Sequence, residues 1–365
     1  MKILTLNAEI GLGHSYYLDV FIAACRRLSP EAEIYYYNVL QTRKFFPRMF
    51  WKLSEFLYYW GSQGGEVTKI YNKIRQSSKG IKVPVDSINF SEYHRIVVAH
   101  PLLAKTLKNV YYLHGEVALP RECIIKDVQK IIVPLESERK LLIDNHLLPS
   151  QIIVSGLIIP LNLLETAEQA FALRLKRLKN ASSLKVGFFV SGAYPRAHIE
   201  KIILGILSIL KNGHRAFLFA GTNKKRSEKI IQKLNKYLKL QNIPSPTIVI
   251  IQNSKRAYYQ SRINELLPAL DLMVAPAHEH TNWALGLGLP IFCLFPMIGS
   301  YACTNYKYLL EAQVVYPLKT NLCARSLGSI IDNLRKDGRL IAMAKNGFNR
   351  YSINGALKSA EAVLY

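Results

Sequence analysis

Acidic residues are scarce in this chain: 25 Asp and Glu stand against 48 Lys and Arg in 365 residues, a formal net charge of +23. Such an excess sets up a long-range field that favours polyanions, whether nucleic acid, anionic lipid headgroups or nucleotide-linked substrates, without choosing among them. A nucleic-acid signature is also missing, and the basic residues are spread along the chain, so no nucleic-acid partner is expected. Cysteines are few and scattered: Cys25, Cys123, Cys293, Cys303 and Cys323 form no C-x-x-C pair. That leaves no zinc-type spacing and no disulfide framework, and it suggests a reducing compartment. Low-complexity tracts are absent. No window approaches the ~20 apolar residues needed to span a bilayer, and Met1–Asn7 is too short an apolar run for a signal peptide. A cytoplasmic protein, soluble or held peripherally at the inner face of the membrane, is the expectation.

What the chain has is core material. Half of it is hydrophobic and a fifth is charged, a globular balance, and its length suits two domains of roughly 100–200 residues. Short apolar runs rich in β-formers alternate with longer helical patterns, the signature of a parallel sheet covered on both faces. Strands are expected at Lys2–Leu6, Glu33–Tyr37, Arg95–Ala99, Val110–Leu113, Lys130–Val133 and Ile152–Val154. A second series follows at Lys185–Val190, Ala216–Phe219, Thr247–Ile251, Leu272–Ala275 and Ile291–Phe295. Between the first two strands, Leu18, Phe21, Ile22 and Cys25 recur at helical spacing. The stretch with Arg174, Lys176, Arg177 and Lys179 reads as a basic helical connector. The expected organisation is therefore a Rossmann-like domain over 1–160, a linker over 161–183, a second such domain over 184–338 and a final helix over 339–365. Ligands of such sheets sit beyond the carboxyl ends of the strands.

Five places carry candidate chemistry. Gly11-Leu12-Gly13-His14 follows the first strand and opens a helix, where Gly11 and Gly13 let the backbone turn tightly and approach a ligand. His14 there is suited to general-base work; a simple turn with a histidine cap is the plainer reading. Ser191, Gly192 and Arg196 hold the equivalent place in the second half, able to cradle a diphosphate. They lack a full G-x-G-x-x-G spacing, so a dinucleotide fingerprint is not present. Gly221 marks a third turn after a strand. The densest signal is Pro276–Trp283, where Glu279, His280, Thr281 and Asn282 crowd the end of a strand before Gly288-Leu289-Pro290. An H-x-H pair without further placed ligands is a weak metal signal, and no metal is expected. After Val110–Leu113, His114 and Glu116 could supply an acid or base, or form a plain loop.

The segments Leu266–Pro276, Thr281–Pro296 and Asn305–Ala312 resemble the donor-binding half of the GT-B glycosyltransferases. The resemblance is nearest to the lipid-acceptor group that contains the peptidoglycan N-acetylglucosaminyltransferase and monogalactosyldiacylglycerol synthase. Gly11–His14 is similar to that group's N-terminal glycine-rich motif, and Val133–Pro160 to the end of its first domain. The resemblance implies two Rossmann-like α/β domains facing a central cleft. It further implies a metal-independent transferase without a cofactor, moving a sugar from a nucleotide-sugar donor, UDP-linked in many members, to a lipid or envelope acceptor. It places Ser191 and Gly192 near the diphosphate and His280, Thr281 and Asn282 near the sugar or phosphates. Asn305 falls on the family's asparagine, and His14, with Glu116 beside it as a candidate, is the catalytic expectation. Two positions depart from the pattern. Trp283 stands where the family has the glutamate that holds the ribose, and Ala302 where it has a glutamine. A carboxylate can accept two ribose hydroxyl bonds and an indole cannot. Either Glu279 takes that task, the donor differs, or the transfer chemistry has been lost. A sugar-nucleotide epimerase on the same architecture, or a non-catalytic protein that keeps the fold, are the alternatives.

Phe45–Trp60 interleaves aromatics with Arg43, Lys44, Arg48 and Lys52, as an interfacial membrane segment does. Phe46, Arg48, Phe50, Trp51 and Lys52 are the expected contacts with an anionic membrane surface. A helix packed in the core is the rival reading.

Overall fold

The computed structural model describes residues 1–11, 13–42, 44–77, 85, 88–243 and 248–365, so Leu12, Arg43 and Thr247 of the readings above lie outside the described residues. The chain divides into two compact units. The first comprises Met1–Gly61, Gly65–Leu164 and Tyr351–Tyr365, and the second Ser62–Gly64 and Glu165–Arg350.

The first unit is built on a six-stranded sheet ordered β2-β1-β3-β4-β5-β6. Its strands are β1 (Lys2–Asn7), β2 (Glu33–Asn38), β3 (Arg95–Val98), β4 (Tyr111–Leu113), β5 (Lys130–Val133) and β6 (Ile152–Val154). All pair in parallel; Leu4, for example, sits between Tyr35 and Ile96. Strand β1 is buried after Lys2, as expected of a central strand covered on both faces, whereas the edge strand β2 is largely exposed. Helix α1 (Gly13–Leu28) follows β1 and buries Leu18, Phe21, Ile22 and Cys25, the stripe that the spacing predicts. Helices α2 (Phe45–Gly61) and α3 (Gly65–Ser77) form a hairpin, followed by α4 (Pro101–Thr106) and α5 (Glu136–Asp144).

The second unit begins with α6 (Leu161–Glu165) ending at its border and α7 (Ala167–Asn180) inside it. Its sheet contains β7 (Lys185–Phe189), β8 (Arg215–Phe219), β9 (Ile248–Ile251), β10 (Leu272–Ala275), β11 (Ile291–Leu294) and β12 (Val315–Leu318). The order β12-β11-β10-β7-β8-β9 is the doubly wound order of a dinucleotide-type fold. Around it lie α8 (Arg196–Lys211), α9 (Lys224–Leu240), α10 (Arg256–Leu266), α11 (His280–Leu287), α12 (Ala302–Glu311), α13 (Asn321–Arg325), α14 (Leu327–Lys336) and α15 (Arg339–Gly347). Helix α16 (Gly355–Leu364) returns to the first unit and packs on α1.

Three expectations change here. The stretch read as a linker is part of the second unit's body. Arg174 is buried, donating from Nε to Leu270 O (3.0 Å) and from a terminal nitrogen to Leu287 O (2.6 Å). Arg177 pairs with the buried Asp271 at 2.6 Å, whose other oxygen accepts from Lys185 N–H (2.8 Å). Arg174 and Arg177 thus tie the entry of β10 to the end of α11, while Lys176 and Lys179 of the same run are exposed. The single final helix is two, because the chain turns at Asn349, in the left-handed region (φ 50°). Finally, the crowd of polar residues at Pro276–Trp283, read as the end of a strand, is, from His280 onward, the start of a helix, α11. It ends at Gly288 (φ 61°), where a Cβ would lie 2.6 Å from Ala344 O, so that helix can stop only on glycine.

Candidate functional site

In a doubly wound sheet, ligands gather where the strand order reverses. Each unit has one such switch point, between β1 and β3 in the first and between β7 and β10 in the second.

At the first, the chain leaves β1 through Gly11, whose φ of 81° suits glycine. A Cβ there would stand 3.0 Å from the Tyr58 hydroxyl, so the glycine also admits α2 close to the loop. Asn7, buried at the end of β1, donates from Nδ2 to Ser15 Oγ at 2.7 Å. His14, half-buried in the first turn of α1, meets the ring of His100 edge-on at 5.2 Å between centroids. His100 is the N-cap of α4 after β3, and its Nδ1 accepts from Leu102 N–H (3.3 Å). In the neutral ring the proton is therefore on Nε2. The Trp51 ring stands perpendicular to His100 at 6.0 Å. Sequence reasoning missed His100; its signal is a histidine between a strand and Pro101, an N-cap position at a strand's carboxyl end.

Glu116 is buried in the loop after β4. Its neighbour His114, read as an acid or base or as part of a plain loop, is buried too. The His114 ring turns inward, with Nε2 2.9 Å from Ala118 O and 3.6 Å from the buried Glu138 carboxyl. Burial opposes a charge on His114, but the hydrogen bonds and charges of Cys123 and Glu138 raise its pKa. Burial raises that of Glu138 in turn, against the pull of His114 and the Leu135 amide. The pair holds protons more firmly than either group would in water. It is an internal prop, not an outward acid or base.

At the second switch point two helices start. The loop Ser191–Pro195 leads from β7 into α8, with Ser191 buried, Gly192 half-buried and Arg196 exposed at the first helical position. The loop Pro276–Glu279 leads from β10 into α11. Helix N-termini carry unpaired N–H groups and a positive dipole end, an anion site assembled from backbone. The side chains play another part. His280, Thr281 and Asn282 are all buried in the first turn of α11. His280 packs against Phe189 (4.9 Å) and Trp283 (5.0 Å). Burial lowers its pKa to about 4, partly offset by Glu279 and the Pro276 carbonyl, so the ring is neutral. Trp283 is itself buried against Phe189 (5.4 Å), which explains the missing glutamate: this position is core. Ala302 is buried too. Glu279, half-exposed, stands four residues before Trp283 at the open end of the same helical face.

Two histidines and one asparagine fix the surrounding loops. His198 Nε2 donates to Pro296 O and His278 Nε2 to Ile298 O, both at 2.8 Å. Burial, first, and then His278 and Lys201 depress His198 to about 4 against the effect of the Pro296 carbonyl. Asn305, wholly buried on α12, donates from Nδ2 to Ala277 O (3.0 Å) and so positions the loop instead of facing a ligand. Gly221 is likewise committed internally. Its N–H donates to the Tyr259 hydroxyl (3.2 Å), and a Cβ would meet the Tyr194 hydroxyl at 2.2 Å. Among the described residues, no three His, Cys, Asp or Glu side chains come together as a metal-ligand set.

On α2, Phe46, Arg48 and Lys52 are exposed and Phe50 is half-buried. Trp51, expected at a membrane, is fully buried, because it lies on the helix face turned to the unit's interior. No helix among the described residues is long and apolar enough to cross a membrane.

No protein-family model and no curated protein sequence matches the chain. Solved structures do. The MnaA protein of S. aureus, solved with UDP, superposes with a TM-score of 0.58 at 10% identity, over 100% of this chain and 95% of that one. The UDP-GlcNAc 2-epimerase of Neisseria meningitidis, bound to UDP-GlcNAc, gives 0.57 at 13%, over 100% and 99%. The corresponding enzyme of Methanocaldococcus jannaschii gives 0.50 at 13%, over 100% and 98%. At such identities the likeness is one of fold, and it runs end to end: the chain has the GT-B architecture of two Rossmann-like α/β domains.

Proposed function

We propose that the chain is an enzyme of nucleotide sugars, holding the diphosphate at the β7/β10 switch point and epimerising the sugar. The observation that carries this reading is the arrival of two helix N-termini, those of α8 and α11, at that switch point. In this reading Ser191, Gly192 and the first turn of α8 hold phosphate oxygens, with Arg196 adding charge. The amides of Glu279 and His280 do the same from the other side, the Thr281 amide being bonded to His278 O (2.8 Å). Glu279 takes the ribose hydroxyls that position 283 cannot. Asn305 acts through the Ala277 carbonyl as a positioning residue.

Epimerisation is favoured over transfer because UDP-GlcNAc 2-epimerases, one of them bound to UDP-GlcNAc, are among the similar folds. Inverting a sugar carbon by proton transfer needs the proton to be taken from one face and one to be returned to the other. His14, with His100 beside it, and Glu116 are the candidates in the first unit. A second reading, transfer of the sugar to a lipid-linked or envelope acceptor, is favoured by one observation, the outward apolar and basic face of α2.

Incubating the protein with UDP-GlcNAc and no acceptor separates the two. Proton NMR should show a second epimer accumulating. Release of UDP only when an acceptor is added would turn the assignment to transfer. If neither UDP nor any UDP-sugar raises the melting temperature, as a ligand of the folded state must, the nucleotide-sugar reading fails.

A further inference from the structure

Large apolar side chains on a protein surface are ordinary when single and informative when contiguous. Among the described residues 21 are exposed, and six of them lie on α2 alone. Phe45, Phe46, Met49, Leu53, Phe56 and Trp60 recur at steps of three or four after the first pair, which puts them on one face of the helix. Phe45 and Phe46 are 72% and 73% exposed, more than a side chain that merely borders a core. The opposite face is fully used: Trp51 is buried, Tyr58 lies against Gly11, and Gly61 is packed on the Tyr71 ring of α3. The helix is thus anchored through one side and presents an unpartnered aromatic ridge on the other.

The charges beside that ridge select what covers it. Lys44 just before α2, Arg48 and Lys52 on it and Lys73 on α3 are exposed, as is Lys69, which pairs with Glu66. A second copy of the chain meeting this face by twofold symmetry would set these cations against themselves. An anionic lipid surface would neutralise them, and the +23 charge of the whole chain adds to the attraction.

We infer that the outward face of α2 docks on an anionic bilayer, lying in the plane of the interface. The aromatic ridge enters the headgroup–acyl boundary, and Arg48 and Lys52 reach back to the phosphates along their apolar stems. The inference is independent of which reaction the enzyme performs.

The three tryptophans give a site-resolved test, because Trp51 and Trp283 are buried and Trp60 is 41% exposed. The full-length protein is mixed with vesicles of phosphatidylcholine alone, or with 30 mol% phosphatidylglycerol (about a third anionic, to supply the surface potential), with and without brominated acyl chains. Sedimentation should show binding to the anionic vesicles at least ~10-fold tighter than to neutral ones, and bromine should quench the Trp60 emission. F46S/F56S should abolish both effects with an unchanged melting temperature. R48E/K52E, which leaves the ridge intact, should weaken anionic binding ~10-fold or more. Failure of the wild-type protein to sediment with anionic vesicles would overturn the inference. So would binding that survives F46S/F56S without quenching, which assigns it to charge elsewhere. A dimer in sizing experiments that F46S/F56S dissolves, with no vesicle binding, would give the ridge to a second copy instead.

Discussion

The two switch points occupy equivalent places in their sheets and are made of opposite materials. In the first, histidine side chains stand at the strand ends: His14 is half-buried and meets His100 across the β1/β3 gap. In the second, His280 is withdrawn into the packing around Phe189 and Trp283, Thr281 and Asn282 are buried with it, and the N-termini of α8 and α11 arrive at the β7/β10 gap. Side-chain groups that titrate near neutrality can move protons, and helix ends of fixed polarity can hold an anion without titrating. The proposed function uses that difference, giving proton transfer to the first unit and charge-holding to the second.

The sharpest way to break that division is His14→Ala. If the first switch point does the proton work, turnover should fall at least ~100-fold, the usual size of general acid–base catalysis. The melting temperature should move little, since a half-buried side chain in the first turn carries little packing. A near-wild-type rate removes His14 from the reaction. In the second unit the pattern should invert. Arg174→Met keeps the apolar stem but strips the donors from Leu270 O and Leu287 O. With about 1–3 kcal/mol for each buried group left unsatisfied, a loss near 3 kcal/mol is expected by denaturant titration.

How far the sequence disclosed this arrangement differs by element, for physical reasons. The strand runs are legible to within a residue or so because parallel strands covered on both faces must be continuous apolar runs, and β10, Leu272–Ala275, is all of that. Strand β12 escapes because Pro317 interrupts it, which only an edge strand tolerates, and β12 is an edge. The basic character of α7 hides that Arg174 is internal, since whether a guanidinium meets water or carbonyls depends on α11 and the β10 entry, about a hundred residues away. The crowd of polar residues at 279–282 correctly marks the end of a strand and the start of a helix. It does not say which side chains turn inward, and a one-residue rotation of α11 would exchange them. Trp51 and Trp60 are likewise indistinguishable by composition in a helix that is aromatic all round.

Acidity separates the units by sign. His198 and His280 in the second unit have folded pKa values lowered to about 4, so their stabilising contribution is complete above the unfolded value near 6.5 and is lost as pH falls towards 4. In the first unit His114 and Glu138 are both raised, so their contribution is complete at low pH and is lost as pH rises through the folded values. Moving from pH 7 to pH 5 should therefore cost the second unit about 2 kcal/mol per histidine and spare the first. Hydrogen exchange of the intact chain, corrected for intrinsic rates and resolved by segment, reads this directly. Protection should fall around α8 and α11 and persist in β4, β5 and α5. A uniform loss would mean that the two sets of buried histidines do not differ in charge.

The smallest effect tests the finest assignment. Position 283 is core, and Glu279, the N-cap of α11, stands four residues earlier, half-exposed at the end of the same face. If it accepts the ribose hydroxyls, Glu279→Gln keeps the shape and loses the charge-assisted bonds. Binding of UDP should then weaken about 10-fold, or ~1.4 kcal/mol, within the range for hydrogen bonds to a charged group. A weakening alone would not place the contact on the ribose. The cycle with 2′-deoxy-UDP does place it: the substitution should cost less for the deoxy nucleotide than for UDP, since one partner is already gone. Equal costs for both nucleotides would separate Glu279 from the ribose 2′-hydroxyl while leaving the helix ends free to hold the diphosphate.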